Sequence, residues 1–131
     1  MWINAEGSGT AGSFYYHLEI TNLAASSCSL SGYPGVSAVG LGGGQLGSAA
    51  RREAFGTVPS VTLTSAATTT ALVRVTDVGA LARACHPVLA AGFRVYPPGN
   101  RASKVVPFPF RTCANPAYRS IAVRAVRNES F

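Results

Sequence analysis

Charge is scarce in this chain and acidic charge scarcest, with five Asp and Glu against eleven Lys and Arg in 131 residues and only 12% of positions charged. One Asp and four Glu form no carboxylate cluster of the kind that holds calcium or magnesium. There is no C-x-x-C and no H-x-x-x-H, the spacings that structural and catalytic zinc sites use. The two-His, one-Cys, one-Met set of a blue-copper sandwich is missing too, since the only Met is Met1 and Cys113 is followed by Ala114, Asn115 and Pro116. No metal and no cofactor are expected. A run of about 18 apolar residues, which a bilayer-spanning helix requires, does not occur. The opening MWINAEGSGTAG lacks the basic and apolar regions of a secretory signal. That leaves a cytosolic chain, or the mature part of an exported protein behind a start Met.

What the chain does have is 47% hydrophobic residues, 14 Gly and 8 Pro, a composition of many turns and little helix. Residues 1–131 fit a single domain, with its core over about 12–126, because a chain of this size closes around one core. Residues 14–22, FYYHLEITN, alternate: Phe14, Tyr16, Leu18 and Ile20 on one side, Tyr15, His17, Glu19 and Thr21 on the other. This predicts a half-buried strand. Similar runs at 36–41, 60–63, 69–76, 92–97, 104–108 and 120–126, separated by Gly, Pro, Ser and Asn, predict seven or eight strands in an antiparallel sandwich. The one helical candidate, 77–93, contains Gly79 and Pro87. It is read as a connection with a turn or two near Ala80 to Ala84. GLGGGQLG at 40–47 reads as a hairpin turn, since no helix follows to make it a phosphate loop.

Three cysteines allow at most one internal disulfide. In an antiparallel meander the strand at 92–97 leads away from the loop holding Cys85, and the strand at 104–108 returns to the loop holding Cys113. Cys85 and Cys113 are the expected pair. Cys28 then has no partner and reads as a buried or semi-buried thiol near a strand end, or as half of a bridge to a residue upstream of the present start; the sharper alternative, a reactive thiol, lacks a nearby base in sequence.

Catalytic chemistry has few carriers. Cys85 and His86 are neighbours in sequence, but nucleophile and base are usually assembled from distant segments. His17 and Glu19 share one side of a strand and suit a weak surface ion pair. The chain is not expected to be an enzyme.

Ten of the eleven basic residues are Arg, the side chain that grips carboxylate or phosphate bidentately. Arg74, Arg94 and Arg124 sit mid-strand, out of phase with apolar neighbours, so all three are expected to face solvent. If the strands of Arg94 and Arg124 adjoin, they form a cationic stripe that Tyr96 and Arg101 extend into the YPPGNR loop. Outward Arg also keeps a sheet edge soluble, which is the structural alternative. Tyr33-Pro34-Gly35 and Tyr96-Pro97-Pro98-Gly99 are rigid turns that each present a Tyr, either for packing at the sandwich end or for a ligand. The partner this surface fits is anionic, an envelope component or a protein. Nucleic acid is disfavoured, because the Arg are spread out and no reading motif is present.

The segments GTAGSFYYHLEITN, CSLSGYPGVS and FRVYPPG, with a final Cys before a strand, resemble an uncharacterised domain family, a domain of unknown function found in actinobacterial exported proteins and lipoproteins. The resemblance implies an immunoglobulin-like β-sandwich outside the cytoplasm with no assigned activity. Members of that family usually carry a fourth cysteine ahead of the first strand, where this chain has MWINAEGS. By that resemblance Cys28 is half of a bridge whose other half is missing, or it takes one of the two partners assigned above to each other. The expected function is a non-catalytic, exported binding module of the cell envelope. The alternative is an accessory domain that stabilises a larger envelope protein.

Overall fold

The computed structural model describes residues 2–10, 13–54, 57–77, 83–99 and 101–127, with side chains from Phe14 onward. Alternation at residues 14–22 becomes β2 (Ser13–Thr21), whose Leu18 and Ile20 are fully buried while Phe14 sits at the rim. β2 pairs antiparallel with β1 (Trp2–Thr10) on one side and β8 (Thr68–Thr76) on the other. In β8 the period-two set Thr69, Ala71, Val73 and Val75 is buried, and Arg74 lies on the opposite face. The sheet continues through β11 (Ile121–Val123) to β6 (Arg51–Arg52), giving the order β1-β2-β8-β11-β6.

A second sheet has the order β10-β9-β4-β5, from β4 (Gly35–Val39), β5 (Gln45–Leu46), β9 (Pro87–Tyr96) and β10 (Lys104–Cys113). The turn at 40–44 joins β4 to β5 as the expected hairpin, with Val39 opposite Gln45. A two-stranded sheet pairs β3 (Cys28–Ser31) with β7 (Ser60–Leu63). The described chain is 55% strand and 3% helix, and its antiparallel sheets pack as a sandwich. Among the described residues one pair departs from the antiparallel rule, since β6 runs parallel to β11.

Between the layers, Leu18, Ile20, Val73, Val75, Ile121 and Val123 meet Val36, Phe93, Val95, Val106 and Phe110. Phe93 stacks on Phe110 at 4.4 Å, and Tyr16 meets Phe108 edge-on at 4.7 Å. A register shift in β10 between Pro107 and Phe110 accompanies this cluster. Gly92 stands against that irregularity, where a Cβ would lie 2.1 Å from the Val106 carbonyl oxygen, so only glycine fits.

Asn22 is the polar hinge between layers. Its buried side-chain amide donates to the carbonyls of Ser26 and Leu63 at 2.9 and 3.0 Å, and its Oδ1 accepts from the Ala24 amide at 3.0 Å. Together with the Asn22–Ala67 and Ala66–Asn22 backbone bonds, this fixes how the chain leaves β2 and returns before β8.

Three expectations need correction. Among the described residues there are eleven strands where about seven or eight were expected, because β1, β3 and the two-residue β5 and β6 carry no long apolar alternation. Residues 87–91, read as part of a connection, are the first half of β9; Pro87 is tolerated there as the first residue of the strand. Of the helical turn expected near Ala80 to Ala84, a 3-10 turn is seen at Arg83–Cys85, and residues 80–82 lie outside the described residues.

Candidate functional site

The three arginines expected to face solvent do not form one stripe. Arg94 lies on β9 in the four-stranded sheet, whereas Arg74 on β8 and Arg124 just after β11 belong to the five-stranded one, so the strands of Arg94 and Arg124 do not adjoin. Arg74 and Arg124 are instead brought together by Glu53. Its Oε2 accepts from Arg74 at 3.2 and 2.7 Å, and its Oε1 from Arg124 at 3.1 and 3.0 Å. Glu53 is placed by its own backbone, whose amide donates to the Val123 carbonyl at 2.8 Å and continues the β6 pairing. Burial pushes the Glu53 carboxyl up, but hydrogen bonds and charge from Arg74 and Arg124 outweigh it and hold the group below the ordinary glutamate value. Two of the expected surface cations are thus structural.

Arg94 has a different role. It stands opposite Ser37 on β4 and Val105 on β10, and its terminal amine donates to the Gly43 carbonyl at 3.0 Å. That bond ties the 40–44 turn to β9 without neutralising the guanidinium charge.

The two tyrosine turns, with Tyr33 and Tyr96 63 positions apart in the chain, lie at one end of the sandwich. Gly35 pairs with Tyr96 in the β4–β9 ladder, and a Cβ on Gly35 would touch the Tyr96 side chain at 3.4 Å. Tyr96 therefore covers the bare backbone of Gly35, a cross-strand packing role. Pro34, Pro97 and Pro98 are buried beneath, which holds both turns rigid, while Tyr96 keeps 38% of its surface exposed. The Arg52 guanidinium lies 5.4 Å above the Tyr33 ring, a cation–π contact from the other sheet. Arg101 in the β9–β10 connection and Lys104 at the head of β10 are both exposed. The chain has no Asp or Glu from residue 20 to 52 or from 78 to 128, so this end carries cations and aromatic rings without an acidic residue from those segments. Arg52 was not among the residues expected here; its position on β6, opposite Val123 of β11, brings it over the Tyr33 ring.

At the opposite end Cys85 and Cys113 are joined, with Cα atoms 5.0 Å apart and both residues buried. The bridge expected from strand direction is the one present. Backbone bonds from Ala114 to His86 and from Asn115 to Cys85 surround it, and Tyr118 packs on it. Joined to Cys113, Cys85 offers no thiol beside His86. Cys28 is free at the head of β3, half-buried and packed on the core, so it takes neither of the other two as partner.

Near this end a cleft of about 230 Å³ opens between Phe14, Tyr16 and Phe110, with Asp77 and Arg111 as its polar lining. Burial pushes the Tyr16 hydroxyl up in pKa. The cleft escaped sequence reading because its walls come from β2, β10 and the end of β8. Among the described residues, no three His, Cys, Asp or Glu gather in a metal-binding group.

The profile of a family described as a domain of unknown function, DUF4232, matches residues 2–127. The chain belongs to that family. The DUF4232 match takes in β1, the disulfide and both tyrosine turns, so the surface described above lies wholly inside the family's domain. No curated protein and no solved structure matches the chain.

Proposed function

We propose that this DUF4232 domain is an exported, non-catalytic binding module of immunoglobulin-like type, and that it holds an anionic partner at the tyrosine-turn end of the sandwich. The observation that carries the reading is the Gly35–Tyr96 rung, which sets two rigid Tyr-Pro turns side by side with Arg52, Arg101 and Lys104 about them. End loops positioned by a stiff sheet are where sandwich modules bind, and proline-fixed turns lose little entropy on contact. Guanidinium groups beside exposed rings suit carboxylate or phosphate carried on a polymer. The resemblance to a family of actinobacterial exported proteins and lipoproteins supports a place in the cell envelope. A non-catalytic role is supported by the commitment of Glu53 to two arginines and of Cys85 to a disulfide.

Binding of the purified domain to immobilised polyphosphate, followed across a salt series, tests this. Affinity is expected to fall steeply with salt and to drop at least about tenfold in an Arg101→Glu, Lys104→Glu variant. Both side chains are exposed, so the fold is expected to survive. Equal binding by the charge-reversed variant would remove the assignment. An accessory domain that only stabilises a larger protein predicts no saturable binding at all.

A further inference from the structure

The two faces of the sandwich are unlike in chemistry. In the segments that build the four-stranded sheet, residues 35–46 and 87–113, there is no Asp or Glu, while Arg94, Arg101, Lys104 and Arg111 supply four positive charges. The same segments carry four of the large apolar side chains that remain exposed: Leu41 at 100%, Leu89 at 71%, Val105 at 48% and Tyr96. Register interleaves the two kinds. Leu89 stands opposite Arg111, and Val105 opposite Arg94. Leu41 tops the glycine-rich 40–44 turn, which the Arg94–Gly43 bond ties to β9. There Leu41, Leu89, Ala91 and Pro109 border a shallow apolar groove of about 220 Å³.

We infer that this face docks on an anionic lipid bilayer. The inference rests on the anionic-partner reading above and names the partner. Charge complementarity favours a negative surface, and the acid-free sheet offers it no repulsion. Apolar side chains spread singly over a sheet, with only a shallow groove between them, give a protein partner no deep pocket for an anchoring residue. A bilayer interface asks for something else: exposed apolar groups that reach the headgroup boundary, flanked by cations that meet phosphate. Leu41 on its turn and Leu89 on β9 supply the first, and Arg111, Lys104 and Arg101 the second.

The test is co-sedimentation with vesicles of phosphatidylcholine alone and of phosphatidylcholine with about one third phosphatidylglycerol, beside the polyphosphate assay. The domain is expected to bind the anionic vesicles in low salt and to leave the neutral ones unbound. A Leu41→Ser, Leu89→Ser variant, altered only at exposed positions, is expected to lose at least about tenfold in vesicle affinity and to keep its polyphosphate binding. If the domain binds polyphosphate but not anionic vesicles, or if the serine variant binds vesicles as well as the parent, the lipid assignment fails and the anion reading stands. Binding to neither fails both. Should sedimentation show a dimer that the serine substitutions abolish, the face is a self-association surface and the lipid assignment is overturned.

Discussion

Replacing Glu53 by Gln removes the one charge that Arg74 and Arg124 share and leaves the shape of the side chain intact. The four hydrogen bonds run from 2.7 to 3.2 Å, with the three side chains 21–26% exposed. A fully exposed pair contributes roughly 0.2–1 kcal/mol and a buried charged hydrogen bond about 1.5–3. At this intermediate burial each arginine is assigned about 1 kcal/mol, so the substitution is expected to cost about 2 kcal/mol. Unfolding a chain of this length carries an entropy of about 2.1 cal/mol/K per residue, which converts that cost to a fall of about 7 °C in Tm at pH 7. The pH dependence has a definite sign. Because the folded state holds the Glu53 carboxyl below its ordinary value, its contribution is complete above the unfolded-state value and is lost as pH falls through the folded one. Differential scanning fluorimetry of both proteins from pH 7 down to about pH 3 is expected to show two melting curves that converge on acidification. A fall of less than about 2 °C at pH 7, or a gap that stays constant or widens toward acid, would refute the clamp as a source of stability.

Alkylation of the protein denatured without reductant is expected to label one cysteine, Cys28; three labels would show that Cys85 and Cys113 are not joined. A Cys85→Ser, Cys113→Ser variant is expected to lose about 3–4 kcal/mol in chemical denaturation, the chain-entropy value for this loop length, and an unchanged midpoint would contradict it. Gly92→Ala drives a Cβ into the Val106 carbonyl and is expected to cost about 2–4 kcal/mol by the same measurement, because backbone must move to admit it. A loss under about 1 kcal/mol would mean that the β10 irregularity yields easily.

Residues whose role is set by local pattern were readable in the sequence. Leu18 and Ile20 alternate with polar neighbours and are buried, and the direction of two successive strands was enough to pair Cys85 with Cys113. β1 was not readable, since WINAEGSGT has no apolar alternation and its strand character rests on backbone pairing to β2. The arginines show the deeper limit. Arg94 and Arg124 sit in similar alternating contexts, yet sheet membership is decided by which strands pair at long range, and it puts them on different sheets. Their division was further hidden by Glu53, which lies in an unpatterned segment and meets Arg74 and Arg124 only after β6 has joined β11. Likewise, each Tyr-Pro turn was visible alone, and the Gly35–Tyr96 rung that makes them neighbours was not.

The disulfide also sets how the domain responds to a protease. Cys85 and Cys113 bracket β9, the connection that carries the exposed Gly99, Arg101, Ala102 and Ser103, and β10. A single backbone cut in that connection, the accessible tip of the proposed surface, releases no fragment: both halves stay covalently tied at the far end of the hairpin and laddered along its length. Nicking there trims a loop and leaves the molecule in one piece.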